Sequence, residues 1–218
     1  MLTNPFGTAV NAEVVKSYSR YRGHAITRED CAREAMRMIH AGRKNMDALH
    51  HAGELKSSHG SGVSAMVLVY NATGDKLELV DSKDWDGSSV YHEEPPSSFL
   101  NGQWISFLHA HPGGRAVGCE GARVFRGFTS TGEVRDFLVA WTIPWGWGGN
   151  RAYTEVREKD YFKDKWGDIK NKLDNANKIT IDESDQYCAS TVSIGGYSTS
   201  ECIAVLHHKF RPLPGEEE

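Results

Sequence analysis

Two clusters in this chain combine residue types with chemistry to offer. The first is His109-Ala110-His111-Pro112. On a strand, residues i and i+2 share a face, so the two imidazoles stand where a metal site can begin. A zinc site needs a third side chain converging on the ion, with nitrogen ligands at about 2.0–2.1 Å. Glu120 is the nearest carboxylate along the chain. The expectation is a surface histidine pair at a strand end, with no metal and no cofactor. His50-His51 and His207-His208 are adjacent pairs, which diverge on either kind of element.

The second cluster is Trp141-Thr142-Ile143-Pro144-Trp145-Gly146-Trp147-Gly148-Gly149-Asn150. Trp141 ends an apolar run and is expected in the core. Trp145 and Trp147 sit among Gly and Pro and belong to a loop. Such indoles either fold back onto a sheet edge or present a flat apolar face with a polar N–H. The second arrangement suits a membrane interface or a sugar ring. Catalytic signatures are missing: there is no Gly-x-Ser-x-Gly elbow, no phosphate loop and no Gly-x-Gly-x-x-Gly. Glu93-Glu94 lies in a Pro-flanked loop, and Cys31, Cys119, Cys188 and Cys202 form no CxxC pair. A binding protein rather than an enzyme is expected.

The rest of the chain has to position these clusters. Its 218 residues suit one domain with a modest extension. With 25 basic against 29 acidic residues, a general nucleic-acid binder is excluded as a reading. No apolar run reaches the ~20 residues of a spanning helix. Residues 1–7 carry neither a basic segment nor an apolar stretch, so no secretory signal is expected and a cytosolic or nuclear location follows. The cysteines are then free thiols, and the sequon at Asn71-Ala72-Thr73 is an unmodified turn.

The first 25 residues show no period and read as an arm. Thr27-Arg28-Glu29-Asp30 resembles a capping box, and Ala32, Ala35, Met36 and Ile39 follow at helical spacing. Gly42 interrupts, and Met46, Leu49, Ala52 and Leu55 predict a second helical stretch. Strands are predicted over 63–70, 76–80, 102–108, 122–126, 136–142, 152–156, 187–194 and 201–210. Phe162, Trp166, Ile169 and Leu173 predict an amphipathic helix over roughly 160–174. The 22 glycines and the short strands between turn signals favour a mostly β, antiparallel β-sandwich with an N-terminal helical region and a second flanking helix. Its divisions are 1–61 for the arm and helices, 62–211 for the sandwich and 212–218 for an acidic tail.

Several blocks carry a resemblance. Tyr70-Asn71-Ala72-Thr73-Gly74, Asn101-Gly102-Gln103-Trp104, the run from Phe107 to Pro112, Trp141-Thr142-Ile143-Pro144 and the run from Tyr153 to Glu158 together resemble the jasmonate-induced stress protein family of plants. More distantly, the order of these blocks through Asn150 is similar to actinoporins and aegerolysins. That likeness implies an actinoporin-like β-sandwich that binds lipid at a membrane surface, an architecture fungal lectins share. On that comparison Thr142 and Pro144 match a strand-end pair, and Trp145 and Trp147 match the first aromatics of a head-group loop. Tyr161, Phe162 and Trp166 are then the helix aromatics of the same site, and aromatic faces suit a choline cation. The loop is shorter here, with Gly148-Gly149 where more aromatics are the family pattern. The helix from Thr27 carries three arginines, two glutamates and an aspartate in eleven residues, which makes lipid insertion costly. Surface binding is expected over pore formation, unless the charged face lines a pore. A second likeness fails: His109-Ala-His111-Pro112 is similar to a zinc isopeptidase signature, but Glu120 and Arg123 stand where its serine and aspartate belong. The expected function is a stress- or defence-associated protein recognising a lipid head group or a carbohydrate. The alternative is a non-catalytic, stress-accumulated interaction or storage-like protein.

Overall fold

The computed structural model describes residues 2–89, 94–111, 116–146 and 148–210. Trp147, Pro112, Glu93 and the 212–218 tail lie outside the described residues. The N-terminal region holds α1 (Ala12–Lys16), α2 (Arg28–Arg37) and α3 (Lys44–His59). Thr27 caps α2 as a true capping box. Its hydroxyl accepts from the Asp30 amide at 3.2 Å, and the Asp30 carboxylate accepts from the Thr27 amide at 2.9 Å. The arm before it is not free chain. Phe6 forms an antiparallel bridge with Trp104, and the backbone bonds are 2.7 and 2.9 Å.

The strands are β1 (Ser64–Ala72), β2 (Leu77–Asp86), β3 (Ser88–Ser89), β4 (Ser98–Phe99), β5 (Trp104–Ala110), β6 (Cys119–Phe128), β7 (Val134–Ile143), β8 (Arg151–Glu158), β9 (Ile179–Asp182), β10 (Cys188–Ile194) and β11 (Thr199–His208). Among the described residues the first sheet runs β3-β5-β1-β11-β10-β9 and the second β4-β2-β6-β7-β8. Pairing is antiparallel except between β1 and β11, which run parallel from Ser64↔Thr199 to Ala72↔His207. The two sheets face each other as a β-sandwich. Alternate residues meet between them, including Val67, Val69, Phe107, Phe125, Phe137, Trp141 and Leu206. The opposite set on the first sheet, with Leu68, Tyr70 and Trp104, packs under α2, α3 and the arm.

The outer face of the second sheet is covered by α4 (Trp166–Asp174), whose Ile169 and Leu173 join Phe162 on Val124, Leu138 and Ala140. This helix starts six residues later than its periodicity suggests. Residues 159–164 form turns, and Asp160 and Asp164 adopt φ of 64° and 61°, a conformation that ends regular helix. Arg126 fixes the first of these by pairing with Asp160 at 2.6 Å. Two further differences come from short or polar segments. Strand β9 has four residues and too few alternations to register, and β2 continues past Val80 through a polar stretch broken by register shifts.

Candidate functional site

Strand directions bring the interesting loops to one end of the sandwich. There β7 ends at Ile143 and β8 begins at Arg151, β10 ends at Ile194 and β11 begins at Thr199, and β5 ends at Ala110. Residues 144–146 and 148–150 therefore neighbour segment 195–198 and His111. Gly146 and Gly148 take φ of 80° and 128°, which lets so short a loop reverse. Trp145 in it is 50% exposed. Its ring leans on His111, with centroids 5.7 Å apart and planes at 49°. His111 is itself buried and meets the edge of His59 at 6.3 Å. Its imidazole occupies the space over Gly62 (φ 116°), where a Cβ would come within 1.8 Å of Nε2. Lys56 donates to the Gly62 carbonyl at 2.8 Å. Burial, with Lys56 and His111 nearby, holds the His59 pKa below its ordinary value. The tryptophan thus rests on a seated imidazole rather than waving in solvent.

Below this seat lies a polar row inside the sandwich. His109 is fully buried, and its Nδ1 accepts from the Trp141 indole N–H at 3.1 Å. Nε2 lies 3.1 Å from the Asp84 carboxylate, which also accepts from Arg123 at 2.8 Å. Those bonds define a neutral ring with its proton on Nε2, donated to Asp84. The Cys119 thiol donates to the His109 carbonyl at 2.9 Å and also touches Nδ1. Burial pushes the His109 pKa down despite Asp84. The Asp84 carboxyl is pushed up by burial, but the His109 hydrogen bond and the Arg123 charge outweigh that and hold it at about 2. A thiol, an imidazole and a carboxylate in a row suggest a nucleophile, yet Cys119 and His109 are both 0% exposed. Burial also drives the thiol pKa far up, so it stays protonated.

The expectation of surface histidines is therefore wrong for this pair. His109 and His111 are both buried: the His109 ring points between the sheets against Trp141, Asp84 and Cys119, and the His111 ring lies under Trp145. Among the described residues no group of three His, Cys, Asp or Glu side chains converges as a metal site. The partner of His109 is Asp84, on the facing sheet, not Glu120. Glu120 instead accepts from the Thr142 hydroxyl and pairs with Lys170 of α4.

The eight residues expected at the site divide. Pro144, half-buried, and Trp145 stand in the loop, while Thr142 is buried at its base. Asn150 is 7% exposed, and its amide nitrogen reaches Gly195 O at 2.7 Å, Tyr197 O at 2.9 Å and Ser200 Oγ at 3.1 Å. It clamps two loops together. Trp147 lies outside the described residues. Tyr161, Phe162 and Trp166 sit instead on the outer face of the second sheet. There Phe162 is 1% exposed, Tyr161 stacks edge-on with it, and Trp166 meets Trp85 at 6.2 Å. Sequence reasoning missed Asp84, Cys119 and Tyr197. Of these, only the exposed Tyr197 between Gly196 and Ser198 left a visible signal, an aromatic in a small-residue loop.

The family described as Nakanori-like protein matches residues 6–210. The 23 kDa jasmonate-induced protein of Hordeum vulgare is 37% identical over 214 residues, covering 96% of this chain and 100% of that protein. The crystal structure of the lipid binding protein Nakanori aligns with a TM-score of 0.83 at 25% identity, over 93% of this chain and 99% of that one. The resemblance drawn from the sequence blocks thus extends over nearly the whole chain.

Proposed function

As this chain belongs to the Nakanori-like protein family, we propose that it is a stress-associated, non-enzymatic protein that binds lipid head groups at the loop end of its sandwich. The carrying observation is Trp145, half-exposed yet seated on a buried His111. An aromatic held in place loses little conformational freedom on binding, and its amphipathic ring suits the head-group region. The description of Nakanori as a lipid binding protein supports the ligand class, and the name of the barley relative supports the stress association. A cytosolic or nuclear location goes with this proposal, since Cys31, Cys119, Cys188 and Cys202 are free and buried.

Surface attachment, rather than a pore, is the form of binding the helices favour. Glu34 of α2 is fully buried and held by Arg20, Arg37 and the Tyr21 hydroxyl. Releasing α2 into lipid would break that network and strip the cover from Tyr70 and Leu68.

Liposome sedimentation with phosphatidylcholine or sphingomyelin, run beside a glycan array, tests the reading. The wild type is expected to sediment with vesicles, and Trp145→Ala to bind about tenfold more weakly, which corresponds to about 1.4 kcal/mol. Binding to glycans alone, or equal vesicle binding by the variant, refutes it.

A further inference from the structure

We propose that the lipid contact does not end at the Trp145 loop but continues as an apolar shelf, formed by Tyr197, Ile179 and Ile181, that enters the boundary between head groups and acyl chains of a zwitterionic bilayer. This rests on the lipid reading of the loop end and extends it to a second element. Tyr197 is 82% exposed, Ile179 64% and Ile181 60%, the largest exposures among the described large apolar side chains. Tyr197 and Ile179 border a groove of about 500 Å³ whose floor includes the half-buried Met66 and Ile203, and Ile181 lies two residues further along β9. Position explains why these side chains are bare. Helices α2 and α3 lie over β1, β5 and β11, whereas β9 is the last strand of the first sheet. Ile179 and Ile181 project from it on the face away from the core, opposite to Thr180, whose hydroxyl turns inward to the Ala152 carbonyl at 2.7 Å.

Asn150 ties the shelf to the Trp145 loop. Its side chain holds the backbone of 195–197, and the Tyr197 amide donates to Ser200 Oγ at 2.9 Å. Ile179 is fixed opposite Ser193 in the β9–β10 ladder, and the Ile194 amide donates to the Lys178 carbonyl at 2.9 Å. An exposed tyrosine on a pinned backbone, beside exposed isoleucines and on a loop tied through Asn150 to the segment that carries the exposed Trp145, reproduces the mix found where proteins lie in a membrane interface. Charge narrows the surface further. The groove carries Lys178 and Glu201, one of each sign, so it has no net attraction for anionic lipid. A zwitterionic bilayer fits it best.

The test uses the full chain and vesicles of phosphatidylcholine with sphingomyelin. In one arm, Tyr197→Ser/Ile179→Ser is compared with wild type and Trp145→Ala by sedimentation. In another, an environment-sensitive dye is attached to Ile179→Cys, or to Gln186→Cys at the opposite end of the sandwich, the native thiols being buried. The double variant should bind at least tenfold more weakly. The dye at 179 should shift to the blue on vesicles and the dye at 186 should not, with little change when anionic lipid is added. If wild type and the double variant bind alike, or the two dyes respond alike, the shelf is refuted while the Trp145 reading stands. If wild type ignores every vesicle, both fall. If wild type is a dimer that the double variant converts to monomer, the shelf is a contact between copies and the proposal is wrong.

Discussion

Replacing His109 with leucine probes the polar row beneath the loop end, and its cost follows from the bonds it removes. Leucine fills much of the ring's volume, so the cavity left behind is small. The Trp141 indole N–H, fully buried, loses its acceptor, which costs about 1–3 kcal/mol. The edge-on contact between the rings, with centroids 5.3 Å apart, adds about 0.5–1.5 kcal/mol. Asp84 keeps Arg123, so its charge is not orphaned. The expected loss is about 2–4 kcal/mol, or roughly 4–16 °C in Tm for a chain of this size. Urea unfolding followed by tryptophan fluorescence measures it. Two internal controls sharpen the outcome. His109→Leu/Trp141→Phe should recover part of the loss, because the orphaned donor goes with its acceptor. The pH dependence should also change. Folded His109 has a lowered pKa, so below about pH 6.5 the unfolded chain takes a proton that the folded chain does not. Stability is therefore lost as pH drops through this range, by up to about 1.4 kcal/mol per unit for this group, until the folded pKa is passed. The leucine variant should lose that component and keep those of half-buried His207 and buried His208, whose pKa values desolvation also lowers. A loss under about 0.5 kcal/mol, or an unchanged pH slope, would show that the row does not hold the loop end together.

Gly62→Ala puts a Cβ into the His111 ring at a φ of 116° and should cost about 1–3 kcal/mol, with altered Trp145 fluorescence; an unchanged spectrum would mean His111 does not seat the indole. Phe162→Ala should lower stability by about 3–5 kcal/mol in a thermal melt, yet leave vesicle binding intact below the transition, since the ring is 1% exposed on the far face of the second sheet. Burial pushes the Cys31 thiol up to about 11 and those of Cys188 and Cys202 to about 12, and Cys119 further. At pH 8 a thiol reagent should therefore label the native protein far more slowly than the unfolded chain, in which all four react; rapid native labelling would contradict the burial.

The sequence by itself determined the elements whose signals are local. Thr27 and Asp30 announced the start of α2 because a capping box needs only four consecutive residues. The β-branched run beginning at Val63 announced β1, and the family blocks from Tyr70 to Glu158 announced the sandwich before any pairing was known. The identity of Trp145 as a loop aromatic was legible from its Gly and Pro neighbours alone. Tertiary structure decided what those residues touch. His109 looked like a surface residue because its neighbours in sequence offer only Glu120, while its actual partner, Asp84, comes from the facing sheet. Asn150 looked available for a ligand, but its amide is spent on a loop some 45 residues away. Phe162 and Trp166 were expected beside Trp145, but they pack on the outer face of the second sheet. The shelf of Ile179, Ile181 and Tyr197 was invisible for the same reason. A strand of four residues has too short a pattern to assign its faces, and only the assembled sheet shows which one was left uncovered.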